Sequence, residues 1–359
     1  MNKSKKIFAS LISVLLCLFS ASCSSCSKDF DTADFYYFNT EIHVEVDGKE
    51  LAKETIDEID EKLNLLHTVY KLNDKNGSFT AQFNAMPGGE SMVVTKREAN
   101  LLNKCKEYYF LTEGKFNPAV YPLLKLWQFA PSYPVANFTP PTDYDCEQII
   151  YSEVTDFENG VLIDGNKVTK PLGDTQIDLG GIVKGLAADE IGKMLKDGGY
   201  AKGYVSVGGS SLYILETQGL GITHPRQNGE IINVDTPLKN LSVSTSGDYQ
   251  KYYEYQGKRY SHIISGYYGK PADTGVQSAT VICPDGTFAE ALSTALCLCE
   301  YNGDKNDELC LLIKKIIQKY PSSSVYVVVE NSSGKTIVTN KTINADFTLL
   351  DTSYKVVKI

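Results

Sequence analysis

The chain has 359 residues, of which 42% are hydrophobic, 22% charged and 11% aromatic. That balance excludes a disordered chain and leaves ample apolar material for a core. At about 100–200 residues per domain, the length predicts two domains or one large two-lobed unit. The formal charge is −9, from 35 Lys+Arg against 44 Asp+Glu. Such a surface repels a phosphate backbone and argues against a nucleic-acid platform, yet one helix terminus and one cation still suffice for a small anion.

In chain order, Lys3, Lys5 and Lys6 precede a mostly apolar run at 7–19. The run is too short for a spanning helix, which needs about 20 residues. Ser20-Ala21-Ser22 then leads into Cys23. This pattern predicts an export signal over 1–22, with Cys23 lipidated as the first mature residue. Ser20 stands where such a site usually carries Leu; Cys26 is a second candidate, and secretion without lipid is the simpler alternative. Losing Lys3, Lys5 and Lys6 and no acid with the signal takes the charge from −9 to −12. The fate of the signal also leaves seven cysteines, an odd number without paired close spacing, which predicts neither a disulfide framework nor a zinc site. Cys297-Leu298-Cys299 lies in an apolar run and reads as buried thiols.

Residues 23–36 are polar and read as a tether. Alternation predicts a strand at 41–46 and a turn at Asp47-Gly48. From Thr55, the spacing of Ile56, Ile59, Leu63 and Leu66 predicts a helix, and a second helix is expected over 96–111, stopping before Gly114. The stretch 71–89, rich in Asn and Gly, reads as a polar loop, and 131–142, with four prolines, as a connection between lobes. Later strands are expected at 161–163, 205–207, 213–215 and 279–283, with a hairpin from 325–329 to 336–338. Helices and strands mix throughout, which makes α+β the expected class.

Three segments carry candidate chemistry. Asp178-Leu179-Gly180-Gly181-Ile182-Val183-Lys184-Gly185 sets glycines where an extended stretch enters a helix with Val183, Ala187, Ile191 and Leu195 on its buried face. A ligand can approach such a corner closely, and the helix start with Lys184 favours an anion, although plain packing makes the same pattern. The P-loop spacing is absent. In Glu290-Ala291-Leu292-Ser293-Thr294, helical spacing puts 290, 293 and 294 on one face, an all-oxygen set that suits Mg²⁺ or Ca²⁺; a helix with a solvated Glu is the alternative. His262 is one of four histidines and lies among apolar residues, a setting shared by structural histidines. Thr245-Ser246-Gly247-Asp248-Tyr249 offers hydroxyls to a cleft, and Phe116-Asn117-Pro118-Ala119-Val120 with Trp127, the one tryptophan, offers rings to a planar ligand.

Taken together and in this order, these segments resemble the FAD:protein FMN transferase family, called ApbE. The likeness runs from about residue 38 to 298. It is carried by FNPAVYPLLKLWQF at 116–129, DLGGIVKG at 178–185, VSVGG at 205–209, TSGDY at 245–249, HIISGYYGKP at 262–271 and SATVICPDGTFAEALSTAL at 278–296. The resemblance implies one bilobed domain over 37–359, with mixed sheets flanked by helices and a flavin cleft between the lobes. It implies that Asp178 and Lys184 bind FAD, and that Phe38, Tyr70, Ala119, Val120, Tyr121 and Ile264 line the flavin and adenine pockets. Mg²⁺ would be held by Glu290, Thr294 and the backbones of Gly181 and Ser293, and His262 would act near the diphosphate.

The implied reaction moves FMN from FAD, the substrate, onto a threonine hydroxyl of an exported acceptor domain of a flavin-using redox complex, and AMP leaves. The expected location is the periplasmic face of a bacterial membrane, lipid-anchored. Two departures stand out: Ser265-Gly266 where the family usually has Asp-Pro, and Glu290 where it has Asp. Two alternatives share the residues: a Mg²⁺-dependent FAD pyrophosphatase using water, and a non-catalytic flavin-binding lipoprotein.

Overall fold

The computed structural model describes residues 30–72, 77–130 and 133–359; the export signal, Cys23 and Cys26 lie outside them. The fold is α+β, centred on a nine-stranded sheet. Its strands run, in spatial order, Phe30–Tyr37, Thr40–Asp47, Lys202–Val207, Ser211–Thr217, Leu238–Gly247, Val276–Cys283, Ser324–Asn331, Gly334–Thr339 and Lys355–Lys358. Every neighbouring pair is antiparallel except the last, which is parallel. The spatial order follows the chain order, with the N-terminal strands at one edge and the C-terminal strands at the other, and residues 48–201 are inserted between the second and third strands.

The central strand Val276–Cys283 is buried at all eight positions, because both of its faces are covered. Ala279, Val281 and Cys283 point into a core shared with the helices Gly180–Asp197 and Gly286–Cys297. Ile282 points the other way, into a second core with Leu212, Ile214 and Tyr326. That second core is closed by a three-stranded sheet of Phe347–Leu349, Glu230–Val234 and Leu220–Thr223. A third, smaller cluster gathers Leu123, Trp127, Phe129, Tyr253 and Ile264.

The expected helices appear as Lys53–Tyr70 and Lys96–Leu111, the latter opened by a Thr95/Glu98 capping box. Three expectations are corrected. Residues 30–37 are strand and not tether: Phe30–Tyr37 pairs with Thr40–Asp47 through a two-residue turn in which Phe38 and Asn39 both have positive φ, 55° and 57°. An edge strand buries little, here only Ala33, so its sequence stays polar and hides the strand. The loop at 71–89 holds a helix, Phe79–Ala85, capped by Ser78. Its C-terminal carbonyls at Phe83, Asn84 and Met86 accept from the buried Lys170 Nζ at 3.1, 3.1 and 2.8 Å.

The third correction concerns Trp127, which is 3% exposed and unavailable to a ligand ring. Its Nε1 donates to Gly269 O at 2.8 Å, and the indole stacks on Tyr260. The proline-rich stretch contributes Phe138 to the same cluster, stacked on Tyr253 at 4.1 Å. The six described cysteines are buried free thiols, Cys297 and Cys299 among them.

Two helices, Gly180–Asp197 and Gly286–Cys297, cross at a glycine pair. A Cβ on Gly185 would lie 2.1 Å from Gly286 O, and one on Gly286 would lie 2.6 Å from Gly185 O. Gly286 N also donates to the buried Asp189 at 2.9 Å. Gly185→Ala should therefore force the helices apart and cost about 1–3 kcal/mol or more, measured by urea unfolding.

Candidate active site

The crossing point determines which side chains meet. Glu290, one turn into its helix, is 2% exposed. It forms an ion pair with Lys184, whose side chain is 27% exposed, and accepts from Gly185 N with its other oxygen. Lys184 Nζ also donates to Gly180 O at 3.1 Å. An ammonium group thus sits among oxygens from both helices. The Glu290 helix begins here because Asp285 caps it, accepting from Phe288 N at 3.1 Å, and Lys104 holds that cap at 2.8 Å.

Hydroxyls complete the cluster. Ser293 Oγ and Thr294 Oγ1 lie 3.0 and 3.2 Å from Glu290 O. Both also meet Ser246 Oγ, at 2.8 and 3.1 Å. Ser246 belongs to the sheet strand Leu238–Gly247 and ties the helix face to the sheet.

At the helix start, Asp178 Oδ1 accepts from Gly180 N at 2.7 Å. Burial raises the Asp178 pKa, opposed by that bond and by the charges of Lys251 and Lys184. Asp178 N donates to Pro118 O at 2.8 Å, which fastens the turn Pro118–Val120 and the following Tyr121 to the corner. That turn is itself capped by Asn117, whose Oδ1 accepts from Ala119 N. Ala119, Val120 and Tyr121 therefore stand beside Asp178 because two hydrogen bonds fix their backbone.

His262 follows the strand Lys258–Ser261. Its backbone N–H and its Nδ1 both point at Lys251 O, at 3.0 and 3.1 Å. A carbonyl only accepts, so Nδ1 carries the hydrogen and Nε2 keeps its lone pair. Burial, and then the charges of Lys251 and Lys184, push the His262 pKa down to about 3. His262 is half-buried and Lys251 is exposed.

Ile264 is buried two residues further on and bridges to Pro271. Between them, Ser265-Gly266 makes a turn in which Ser265 Oγ accepts from Tyr268 N at 3.1 Å. A Cβ on Gly266 would lie 2.4 Å from Asn117 Nδ2 and 3.3 Å from Val120 Cγ1. The glycine is what lets this turn lie flat on the 117–120 segment.

Asp178, Lys184, Glu290, Ser293, Thr294 and His262, with Gly181 in the first helical turn, therefore gather at one corner, and Ala119, Val120, Tyr121 and Ile264 adjoin it. Phe38 and Tyr70 group instead around the first helix. Phe38 N donates to His67 Nδ1 at 3.2 Å, and the Tyr70 hydroxyl is buried without a hydrogen-bond partner among the described residues. Neither shares a hydrogen bond or ring contact with the corner among the described residues. Ser246 is the hydroxyl of the 245–249 block that reaches the corner, whereas Lys251 escaped the sequence reading because no motif there marks it. Surface cavities of about 370 and 350 Å³ lie elsewhere, and neither is lined by Lys184, His262 or Glu290.

The donor set suits a hard divalent cation. It is all oxygen, it includes a buried carboxylate that must be neutralised, and it already surrounds a positive charge in the Lys184 ammonium. It holds one acid; no cluster of three or more His, Cys, Asp or Glu suited to a metal occurs among the described residues.

Comparison with known proteins places these features in context. A family model described as the ApbE family matches residues 38–306. A FAD:protein FMN transferase of Salmonella typhimurium is 29% identical over 230 residues, covering 62% of this chain and 65% of that protein. The chain thus spans somewhat less than two thirds of that relative. One from Treponema pallidum is 28% identical over 330 residues, covering 85% and 88%. Among solved structures, an ApbE protein of Thermotoga maritima superposes with a TM-score of 0.72 at 27% identity, covering 85% of this chain and 95% of that one. The flavin transferase ApbE of Vibrio cholerae gives 0.73 at 22% identity, covering 87% and 97%, a likeness of fold. The matched stretch contains every residue of the corner from Asp178 to Thr294, and the chain belongs to the ApbE family.

Proposed function

We propose that this protein transfers FMN from FAD to a threonine hydroxyl of an exported acceptor domain and releases AMP. The observation that carries this reading is a neutral imidazole with a free Nε2 facing a corner built from a helix start, Lys184 and the buried Glu290. The N-cap, Leu179, offers no side-chain acceptor, and Asp178 takes the N–H of Gly180, so a ligand anion would meet Gly181 N and the rest of the helix dipole. Attack by an alcohol on a diphosphate needs that anion neutralised and the nucleophile held in line.

In the transfer, the threonine Oγ bonds to the FMN phosphorus, and the bond from that phosphorus to the bridging oxygen breaks. The electron pair leaves with AMP, and the hydroxyl proton passes to His262 Nε2. Lys251 O keeps the ring in the tautomer that can accept it. A bound dinucleotide raises the proton affinity of His262, because its negative charge opposes the two lysines that depress it. Mg²⁺ supplies charge neutralisation on the phosphoryl oxygens, and Glu290, Thr294 and the backbones of Gly181 and Ser293 are the groups that would hold it. Asp178 orders the helix start through Gly180, while Ala119, Val120, Tyr121 and Ile264 supply the neighbouring apolar wall for the flavin; Phe38 and Tyr70 would have to be reached by its far end.

Export and a lipid on Cys23 belong to the same proposal and rest on residues 1–23 alone. They would put the enzyme on the periplasmic face, where exported acceptors are met.

The test is incubation of the purified protein with FAD, Mg²⁺ and a threonine-bearing acceptor domain. Flavin fluorescence on the acceptor after denaturing electrophoresis, with one AMP per label, is expected. Free FMN plus AMP with an unlabelled acceptor would make the protein a pyrophosphatase, and FAD bound but intact would make it a flavin carrier.

A further inference from the structure

Lys184 and Lys251 both face the corner, and their charges are committed differently. Lys184 is taken up by Glu290 and Gly180 O. Lys251 has no ion pair or side-chain hydrogen bond among the described residues, and its side chain is exposed. Its backbone carbonyl is the acceptor for both His262 N and His262 Nδ1, so the ammonium leaves the wall at the residue that orients the imidazole. The charge is close enough to act on His262, Lys184 and Asp178. Burial and the like charge of Lys184 lower the Lys251 pKa, and Asp178 alone opposes them. Glu290 matches Lys184, so the Lys251 ammonium stands beside a neutral imidazole with only the longer-range charge of Asp178 to balance it. That arrangement becomes favourable when an anion enters.

We propose that the Lys251 ammonium contacts the diphosphate of the bound dinucleotide and carries part of the negative charge that builds there during FMN transfer. This rests on the transferase reading above. Lys251 is then a catalytic residue in its own right and the second cation of the site. Its carbonyl orients the base, and its side chain holds the electrophile that the base serves. One residue thereby sets the distance between the proton acceptor and the phosphorus. Lysine suits the task as a point charge on a flexible stem that can follow the phosphoryl group as it moves.

Lys251→Met and Lys251→Arg test this through FAD binding, read by flavin fluorescence at low and high salt. In Lys251→Met the Kd for FAD should rise about 10–100-fold, the range for a lost charged hydrogen bond. Its salt dependence should flatten, because one screened attraction is gone. Transfer should fall at least as far, the melting temperature should hold, and Lys251→Arg should restore most of the affinity. Should the Met variant be poorly soluble, Lys251→Gln makes the same contrast. Unchanged FAD affinity overturns the proposal, and if the acid limb of the pH profile moved alone, Lys251 would act only by depressing His262. Weaker binding with an unchanged salt slope overturns it too, since that is lost packing. A wild-type protein that bound no FAD would instead defeat the transferase reading itself.

Discussion

His262→Ala is expected to slow transfer by about 10²–10⁴-fold, the usual contribution of a general base, while FAD binds as tightly as it does to the wild type. The imidazole donates from Nδ1 to Lys251 O, so its removal takes away the proton acceptor and leaves Lys184, Glu290 and the helix start in place. Transfer and binding should therefore separate, and single-turnover labelling beside FAD titration measures both. The pH dependence adds an independent reading. The His262 pKa is held near 3 before substrate binds, so the acid limb of kcat/KM, which reports the free enzyme, should lie well below the ordinary 6.5 of histidine. The limb of kcat should lie higher, because the bound diphosphate raises it.

Stability follows the same linkage. Between pH 6.5 and about 3 the unfolded chain binds a proton at position 262 that the folded chain refuses, so the wild type should lose stability as pH falls through that window. The Ala variant should lose less. Equal pH slopes for the two proteins would place the depressed histidine elsewhere.

Lys184→Met and Glu290→Gln should differ in stability although they break the same ion pair. Glu290 is buried, while the Lys184 side chain is 27% exposed. Removing Lys184 strands a carboxylate that cannot reach water, at a cost of about 3–5 kcal/mol. Removing the Glu290 charge leaves an ammonium that can swing toward solvent, so the cost should be clearly smaller. Mg²⁺ should restore part of the stability of Lys184→Met, because a divalent ion can neutralise the same carboxylate. It should do nothing for Glu290→Gln, which should also lose metal-dependent transfer altogether. Urea unfolding with and without Mg²⁺ gives all four values. A Glu290→Gln protein that still responded to Mg²⁺ would move the metal ligand to another residue.

The pairing also bears on the Glu290 departure. The Glu290 side chain reaches Lys184 and Gly185 N together, so a metal bound there would have to compete with an internal cation. On the proposed reading, Lys184→Met should bind Mg²⁺ more tightly than the wild type, which a Mg²⁺ titration of the two proteins measures.

Much was already legible in the linear chain. The helices Lys53–Tyr70 and Lys96–Leu111 follow from apolar spacing and caps, and the strands at 205–207, 279–283 and 325–329 from apolar runs. Local spacing carries these because a helix or a buried strand is made from near neighbours. The blocks that carry the family likeness were also visible, since each is a short, continuous string. The strand Phe30–Tyr37 and the helix Phe79–Ala85 were not, because a polar edge and a short capped turn bury too little to mark the sequence. Nor could spacing show that Trp127 is spent on Gly269 and Tyr260.

The chain's own order of residues therefore established the class of fold, the glycine corner at 178–185 and the oxygen-rich face at 290–294. Only the folded molecule decided what those pieces do to one another. Lys184 meets Glu290 across 106 positions of sequence because two helices touch at Gly185 and Gly286, where neither backbone leaves room for a Cβ. Lys251 O selects the tautomer of His262 because the hairpin between them turns both toward one point. Such contacts depend on how distant elements pack, and no local pattern of residues carries that information.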